Sequence, residues 1–276
     1  MPMTIPLRDY QSEAVECVIK HFHNNYKKQL VVLPTGAGKT IVMAEIARRL
    51  NLRTLLIAHR EELINQAKEK FQMAWPEGNY GICRASQDEL DKRVVFGSVQ
   101  SLIQNKRLEK AENQNFDLLL IDEAHHANSP SYQKIIERLG FHSTAGNKLL
   151  VGVTATPMRS DNKEIGEVFE QVSYSTSIAN LIQLGYLCPV KGRRIVTTTT
   201  LNKVHSSKQD FYTGELSEAV NTPERNQLIV DSYLKYAQDR KGIVFCCDVQ
   251  HCKDLSEAFK RAQIRSTAVF GDMVYR

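Results

Sequence analysis

Residues 33 to 42 read LPTGAGKTIV. Thr35, Gly36, Ala37 and Gly38 are small enough for a backbone to close tightly around an anion, with its N–H groups turned inward. Lys39 can reach the far end of such an anion as a point charge, and Thr40 offers a hydroxyl to a divalent cation. A short apolar run precedes the stretch and a helical pattern follows it. A helix N-terminus, with its partial positive charge, is therefore expected at the same place. The chemistry is phosphate binding. The general phosphate-loop spacing has glycine five positions before Gly38, where this chain has Leu33, so the strict pattern fails at one residue. The plain alternative is an ordinary strand-to-helix turn rich in small residues.

A phosphate loop needs carboxylates near it, and DLLLIDEAHHA at 117 to 127 provides two. Asp122 directly follows a run that is apolar at every position, so it is expected to emerge at the end of a buried strand. The pair suits a division of labour in phosphoryl transfer: Asp122 holds Mg²⁺, and Glu123 positions and deprotonates the attacking water. The plain alternative is a solvated helix start, since acids favour first turns. His125 and His126 invite a metal reading, but neighbours on a helix point in different directions and seldom share one ion. Cys246, Cys247, His251 and Cys252 lack zinc-ribbon spacing, so no structural zinc is expected.

The elements that must hold these groups follow from alternation. Apolar strand candidates at 30–33, 54–58, 94–95, 117–121 and 148–153 alternate with helical stretches at 41–50 and 61–71. Strands apolar on both faces and separated by helices indicate a parallel sheet covered on both sides, the doubly wound α/β class. Ligands of such sheets bind at the carboxyl ends of the strands. The 276 residues suggest about two domains. We expect a first domain over 1–180, a basic linker over 181–222 and a smaller second domain over 223–276. The stretch 190–209 holds Lys191, Arg193, Arg194, Lys203 and Lys208 and no acid. Beyond it, one βαβ unit is expected: helix 223–238, strand 242–247, helix 249–262 and strand 266–270. A single unit has little core of its own.

Composition sets further bounds. Hydrophobic residues make up 42% of the chain, which argues against wholesale disorder. The net charge of +5 is compatible with an acidic partner. Six scattered cysteines read as reduced thiols of a cytoplasmic protein. No targeting pattern is expected at the N-terminus. No apolar run approaches the ~20 residues that span a bilayer, so no membrane is expected as a partner.

With these residues in view, the chain resembles the superfamily 2 helicases of the DEAH/DExH type, closest to the type III restriction and repair motors of DNA. Asp122-Glu123-Ala124-His125 resembles their motif II, and PTGAGKT is how that family writes motif I, which accounts for Leu33. Leu7 to Gln11 resembles the adenine-recognition element. Ile57-Ala58-His59-Arg60 resembles motif Ia, and Val95 to Leu102 resembles motif Ib. Val153-Thr154-Ala155-Thr156-Pro157 resembles motif III, Ile243 to Cys246 motif IV, and Val269 to Met273 the strand after it. His125 stands where the RNA-directed DEAD-box branch has aspartate.

The resemblance implies two RecA-like P-loop domains, ATP and Mg²⁺ as cofactors, and DNA as partner, with RNA not excluded. It implies that Gln11 reads the adenine and that Thr35, Gly36, Ala37, Gly38, Lys39 and Thr40 hold the phosphates. Thr40 and Asp122 would hold the metal, and Glu123 would be the catalytic base. His125, Thr154 and Thr156 would couple hydrolysis to movement, and Arg60, Ser98 and Gln100 would contact the nucleic-acid backbone. The family's late motifs, which carry arginine fingers, find no match in residues 1–276, and none of Arg261, Arg265 or Arg276 sits in their context. Two readings therefore stand side by side. One is an ATP-dependent DNA motor truncated in its second domain. The other is a catalytically weak ATP- and DNA-binding module completed by a partner chain that supplies the late motifs. A more distant third, a P-loop enzyme acting on a small molecule, has no use for motifs Ia, Ib and III.

Overall fold

The computed structural model describes residues 5–59, 61–144, 146–156, 168–202, 204–206 and 211–271. Arg60, Pro157, Lys203, Lys208, Asp272 and Met273 lie outside them. The chain divides into two compact units, 1–189 and 190–276.

The first unit is built on an eight-stranded sheet. Its strands are β1 (Lys28–Val32), β2 (Thr54–Ala58), β3 (Tyr80–Arg84), β4 (Gln87–Asp88), β5 (Val94–Ser98), β6 (Leu118–Asp122), β7 (Leu149–Thr154) and β8 (Gln171–Ser175). Their order across the sheet is β4-β3-β5-β2-β6-β7-β1-β8. Every pairing is parallel except the short β3–β4 ribbon. The helices of this unit are α1 (Asp9–His23), α2 (Lys39–Leu50), α3 (Glu61–Ala74), α4 (Val99–Leu102), α5 (Asn105–Glu112), α6 (Pro130–Arg138) and α7 (Ile178–Gln183).

Why the strands read as unbroken apolar runs is visible in the core. Leu118 and Leu120 of β6 enter one face with Val31, Leu56 and Val151, under Val15 of α1, Ile46 of α2 and Ile64 of α3. Leu119 and Ile121 enter the other face with Leu30, Leu55 and Leu150, against Leu102, Leu108 and Ile135 of α4, α5 and α6. Alternation has two apolar destinations here, so Leu118 to Ile121 are all apolar and a polar residue first occurs at the strand's end, Asp122. The α/β doubly wound expectation holds.

The order also creates a crevice. β1 and β2 follow each other in sequence, yet β7 and β6 lie between them. The chain leaves β1 through α2 and lands beyond β6. The carboxyl ends of β1, β7 and β6 therefore lie side by side at a switch in strand order, the place where such sheets bind ligands. Gly152 in β7 makes the approach close. A Cβ built on it would lie 2.3 Å from Phe169 Cζ and 2.7 Å from Ala124 Cβ. Gly152→Ala is expected to cost about 1–3 kcal/mol through overpacking. A urea titration checks this, and an unchanged midpoint would mean Phe169 can swing aside.

The second unit contains α8 (Thr213–Val220), α9 (Pro223–Ala237) and α10 (Val249–Arg261). Each of the last two begins on a capping side chain: Thr222 accepts from the Arg225 N–H, and Asp248 from the His251 N–H. The core is small, formed by Val230, Leu255, Ala258 and Phe259. The expected strands at 242–247 and 266–270 do not form: no described residue of this unit belongs to a strand. Ile243 and Phe245 are 85% and 92% exposed. A parallel pair needs cover on both faces, and here α9 and α10 supply only one small apolar cluster. The expected linker, 181–222, is not plain coil either, since α7 ends within it and α8 lies in it.

Candidate active site

The loop leaving β1 is fixed at its base, where the Leu33 N–H donates to the Thr154 carbonyl at 2.9 Å. Gly36 and Gly38 have φ of +85° and +78°, a region that side chains rarely adopt. A Cβ on Gly38 would also lie 2.6 Å from Gln11 Nε2. The glycine there serves both conformation and close approach. α2 starts at Lys39, so the Lys39 and Thr40 N–H groups have no intrahelical acceptor, while the Ile41 N–H donates to the Gly38 carbonyl at 2.9 Å. Ala37 is buried, whereas Thr35 and Gly36 are exposed.

Gln11 sits against this loop. Its Nε2 donates to the Ala37 carbonyl at 2.8 Å, and its Oε1 accepts from the Arg8 N–H at 3.0 Å. The Tyr10 hydroxyl donates to the same Ala37 carbonyl at 2.9 Å. The residue expected to read a base is thus joined to the phosphate loop, and both ends of its amide are engaged.

Asp122 ends β6 opposite Val153 of β7, while Thr154 lies opposite Val32 of β1. The loop, the carboxylates and the threonine therefore share one level of the sheet edge. Glu123 turns sharply out of the strand with φ of +50° and ψ of +56°. A glutamate in this left-handed region costs about 1–3 kcal/mol, and such strain gathers at functional sites. Its own N–H donates to Asp122 Oδ1 at 3.0 Å. The turn brings Glu123 Oε1 within 3.5 Å of Lys39 Nζ, and Glu123 Oε2 within 3.4 Å of His125 Nδ1. His125 Nδ1 also lies 3.4 Å from Thr154 Oγ1, and Thr154 Oγ1 accepts from the Thr156 N–H at 3.3 Å. Lys39, Glu123, His125, Thr154 and Thr156 thus form one connected set. Burial, and then the neighbouring Glu123 charge, pushes the Asp122 carboxyl above its ordinary range, with Lys39 pulling the other way. Such a carboxylate gains from an added cation.

The nucleic-acid candidates fare differently. Gln100 is exposed and donates to the His59 carbonyl at 2.9 Å. Ser98 is fully buried, and its hydroxyl accepts from the Ser101 N–H, capping α4. It holds the turn after β5 rather than facing solvent. Arg60 lies outside the described residues.

Three features escaped the sequence. His125 and His126 do not point apart as on an α-helix: they sit in a 3₁₀ turn with ring centroids 4.1 Å apart, and His59 approaches His126 at 5.4 Å. No cluster of three or more metal-ligating side chains occurs among the described residues. The second is Tyr132 of α6, whose buried hydroxyl has no hydrogen-bond partner. Burial, and then the charges of Asp122 and Glu123, push that phenol up to about 12, so it stays neutral beside them. The third is the pair Tyr186 and Leu187, which packs on the loop from residues far away in sequence.

A family model described as the type III restriction enzyme, res subunit, matches residues 4–159. The chain belongs to this family. The match runs from the adenine-recognition element through motif III, so it carries the whole crevice. The superfamily 2 resemblance is supported by further relatives. The Saccharomyces cerevisiae protein named as an ATP-dependent helicase, IRC3, is 30% identical over 96% of this chain and 40% of its own length. The Sulfurisphaera tokodaii protein named DNA 3'-5' translocase XPB2 is 35% identical over 58% of this chain and 33% of its own. The helicase domain of Hef from Pyrococcus furiosus shares the fold, with a TM-score of 0.52 and 18% identity over 94% of this chain and 53% of that one. The chain spans less than half the length of the curated relatives it matches along nearly its whole length.

Proposed function

We propose that the chain is the ATP-binding part of a superfamily 2 DNA helicase or translocase, and that the first unit binds and hydrolyses ATP. The observation that carries this reading is the 3.5 Å approach of Lys39 to Glu123 across the carboxyl ends of β1 and β6. The contact brings the loop's cation and the strained carboxylate together at the crevice, where an entering terminal phosphate would take over the lysine's ammonium. Gly36, Gly38 and the N-terminus of α2 supply backbone N–H groups for the other phosphates. Glu123 takes a proton from the attacking water, and Lys39 and the loop neutralise charge that grows in the transition state.

The donors suit a magnesium ion. Mg²⁺ is commonly held by one or two protein oxygens, with substrate phosphates and waters completing its shell. Asp122 and the Thr40 hydroxyl are such a pair, and Asp122's raised pKa favours a cation beside it. When bound, the ion would neutralise phosphate charge. His125, between Glu123 and Thr154, is the group that senses the base and passes its state to motif III.

For the partner, we infer DNA, as the name of the Sulfurisphaera tokodaii relative, a DNA translocase, suggests. Gln100 and Arg60 serve its backbone. A cytoplasmic setting fits six cysteines that are all free, and no helix of the described residues is long and apolar enough to cross a membrane. The small second unit, with no strand among its described residues, favours a second outcome in which the chain binds ATP and DNA but turns over slowly alone. Phosphate release by the 276-residue chain, with and without single- and double-stranded DNA, separates the two. DNA-stimulated release supports the motor. ATP binding without release supports the module completed by a partner chain. Absence of ATP binding overturns both.

The basic stretch opening the second unit adds a test. Arg193 and Arg194 are exposed, and the Arg193 guanidinium lies over the Tyr236 ring at 5.6 Å. Reversing both charges, Arg193→Glu with Arg194→Glu, is expected to weaken DNA binding and lower the salt slope by about one to two units. Filter binding across a salt series measures this. Unchanged affinity at low salt would assign the stretch to linking alone.

A further inference from the structure

α7 ends at Gln183 with Leu184 as its cap, and Gly185 follows with φ of +78°. The left-handed turn is closed by N–H groups of Tyr186 and Leu187, both donating to the Leu181 carbonyl, at 2.8 and 3.0 Å. It throws two side chains back over the mouth of the crevice. The Tyr186 hydroxyl donates to Asp9 Oδ2 at 3.1 Å. Its ring meets Tyr10 edge-on, with centroids 4.9 Å apart and planes at 68°, and the Arg8 guanidinium lies over it at 5.6 Å. Tyr10 and Gln11, from the same turn, hold the Ala37 carbonyl of the phosphate loop. Leu187 reaches the loop itself: its Cδ2 lies 3.2 Å from where a Cβ on Gly36 would stand.

The loop is thus held from two sides, and both holds run through residues 186 and 187. Tyr186 fixes Arg8, Asp9 and Tyr10, which carry the base-side wall, and Leu187 abuts the glycine that must stay open to phosphate. We propose that Tyr186 and Leu187 are positioning residues for the nucleotide, Tyr186 acting on the base side through Tyr10 and Gln11, and Leu187 on the phosphate side through Gly36. This deepens the ATP reading and rests on it. Neither residue touches the groups that do the chemistry, so their effect is on affinity and not on the hydrolytic step. The two sides differ in the ligand part they govern. Loss of Tyr186 weakens binding of a nucleotide but not of a bare triphosphate chain. Loss of Leu187 weakens both.

The test measures binding of ATP and of inorganic tripolyphosphate by calorimetry, together with KM and kcat for hydrolysis. Tyr186→Ala is expected to raise the ATP Kd and KM about tenfold, Tyr186→Phe about threefold, with kcat within about twofold and tripolyphosphate affinity unchanged. Leu187→Ala is expected to weaken both ligands about fivefold. Wild-type ATP affinity in Tyr186→Ala and Leu187→Ala overturns the proposal, as does a loss of kcat at unchanged KM. Should Tyr186→Ala lose its far-ultraviolet dichroism, Tyr186→Phe, which removes only the hydroxyl, decides alone. If the wild-type chain binds no ATP, it is the ATP reading that fails.

Discussion

Lys39→Ala is expected to abolish ATP hydrolysis, by a factor of at least about 10². The lysine is the only side-chain cation within 4 Å of Glu123 among the described residues other than the ionisable His125. On the proposed reading its ammonium lies where charge would grow as the terminal phosphoryl group leaves, and with Lys39 only 13% exposed, water would screen it weakly. The same charge also attracts the ground-state phosphates, so ATP affinity is expected to fall about tenfold as well. Stability should hardly move. The contact with Glu123 is a single pair at 3.5 Å, and alanine favours the first turn of α2 at least as well as lysine. Phosphate release at saturating ATP, with a thermal melt beside it, checks both halves. An unaltered rate would place hydrolysis away from this crevice and sink the proposed reading.

How much of this was legible in the chain depends on the reach of each contact. β6 could be read because four residues in a row, Leu118 to Ile121, have apolar destinations, and Asp122 because a carboxylate directly after such a run has nowhere to go but the sheet edge. The loop could be read because only glycine combines φ near +80° with Gln11 packed against it. Ser98 could be located but not interpreted. Its position at the end of β5 is a matter of pattern, yet the short α4 begins at once and claims the hydroxyl for its cap. The strands of the second unit failed for the opposite reason. Ile243 to Phe245 has strand composition, but composition reports what a pleated surface would accept, and no other strand occurs among the unit's described residues to build one. Tyr186 lies 177 residues from Asp9, and no local spacing signals a contact of that range. The 3₁₀ turn that brings the rings of His125 and His126 together is set by the left-handed Glu123, a conformation no propensity would assign to glutamate.

That same residue gives the second large effect. Glu123→Gln is expected to reduce hydrolysis by about 10³, within the range general bases contribute, while leaving ATP bound. The amide keeps the shape and can still face Lys39 and His125, so the turn and its neighbours stay in place. Glutamine bears the left-handed φ no worse than glutamate does. What disappears is the ability to accept a proton from water, together with a negative charge close to where the γ-phosphate is proposed to lie. Removing that charge relieves repulsion with the nucleotide, so affinity should stay level or rise. The two substitutions therefore separate along different axes: Lys39→Ala loses binding and chemistry together, Glu123→Gln loses chemistry alone. Single-turnover hydrolysis beside a nucleotide-binding titration reads both. If Glu123→Gln keeps its rate, the base lies elsewhere, and Asp122, half-buried beside it with a raised pKa, becomes the group to replace. If binding falls with the rate, the contact to Lys39 is holding the loop, and Glu123 is then as much a structural partner of the phosphate site as its base.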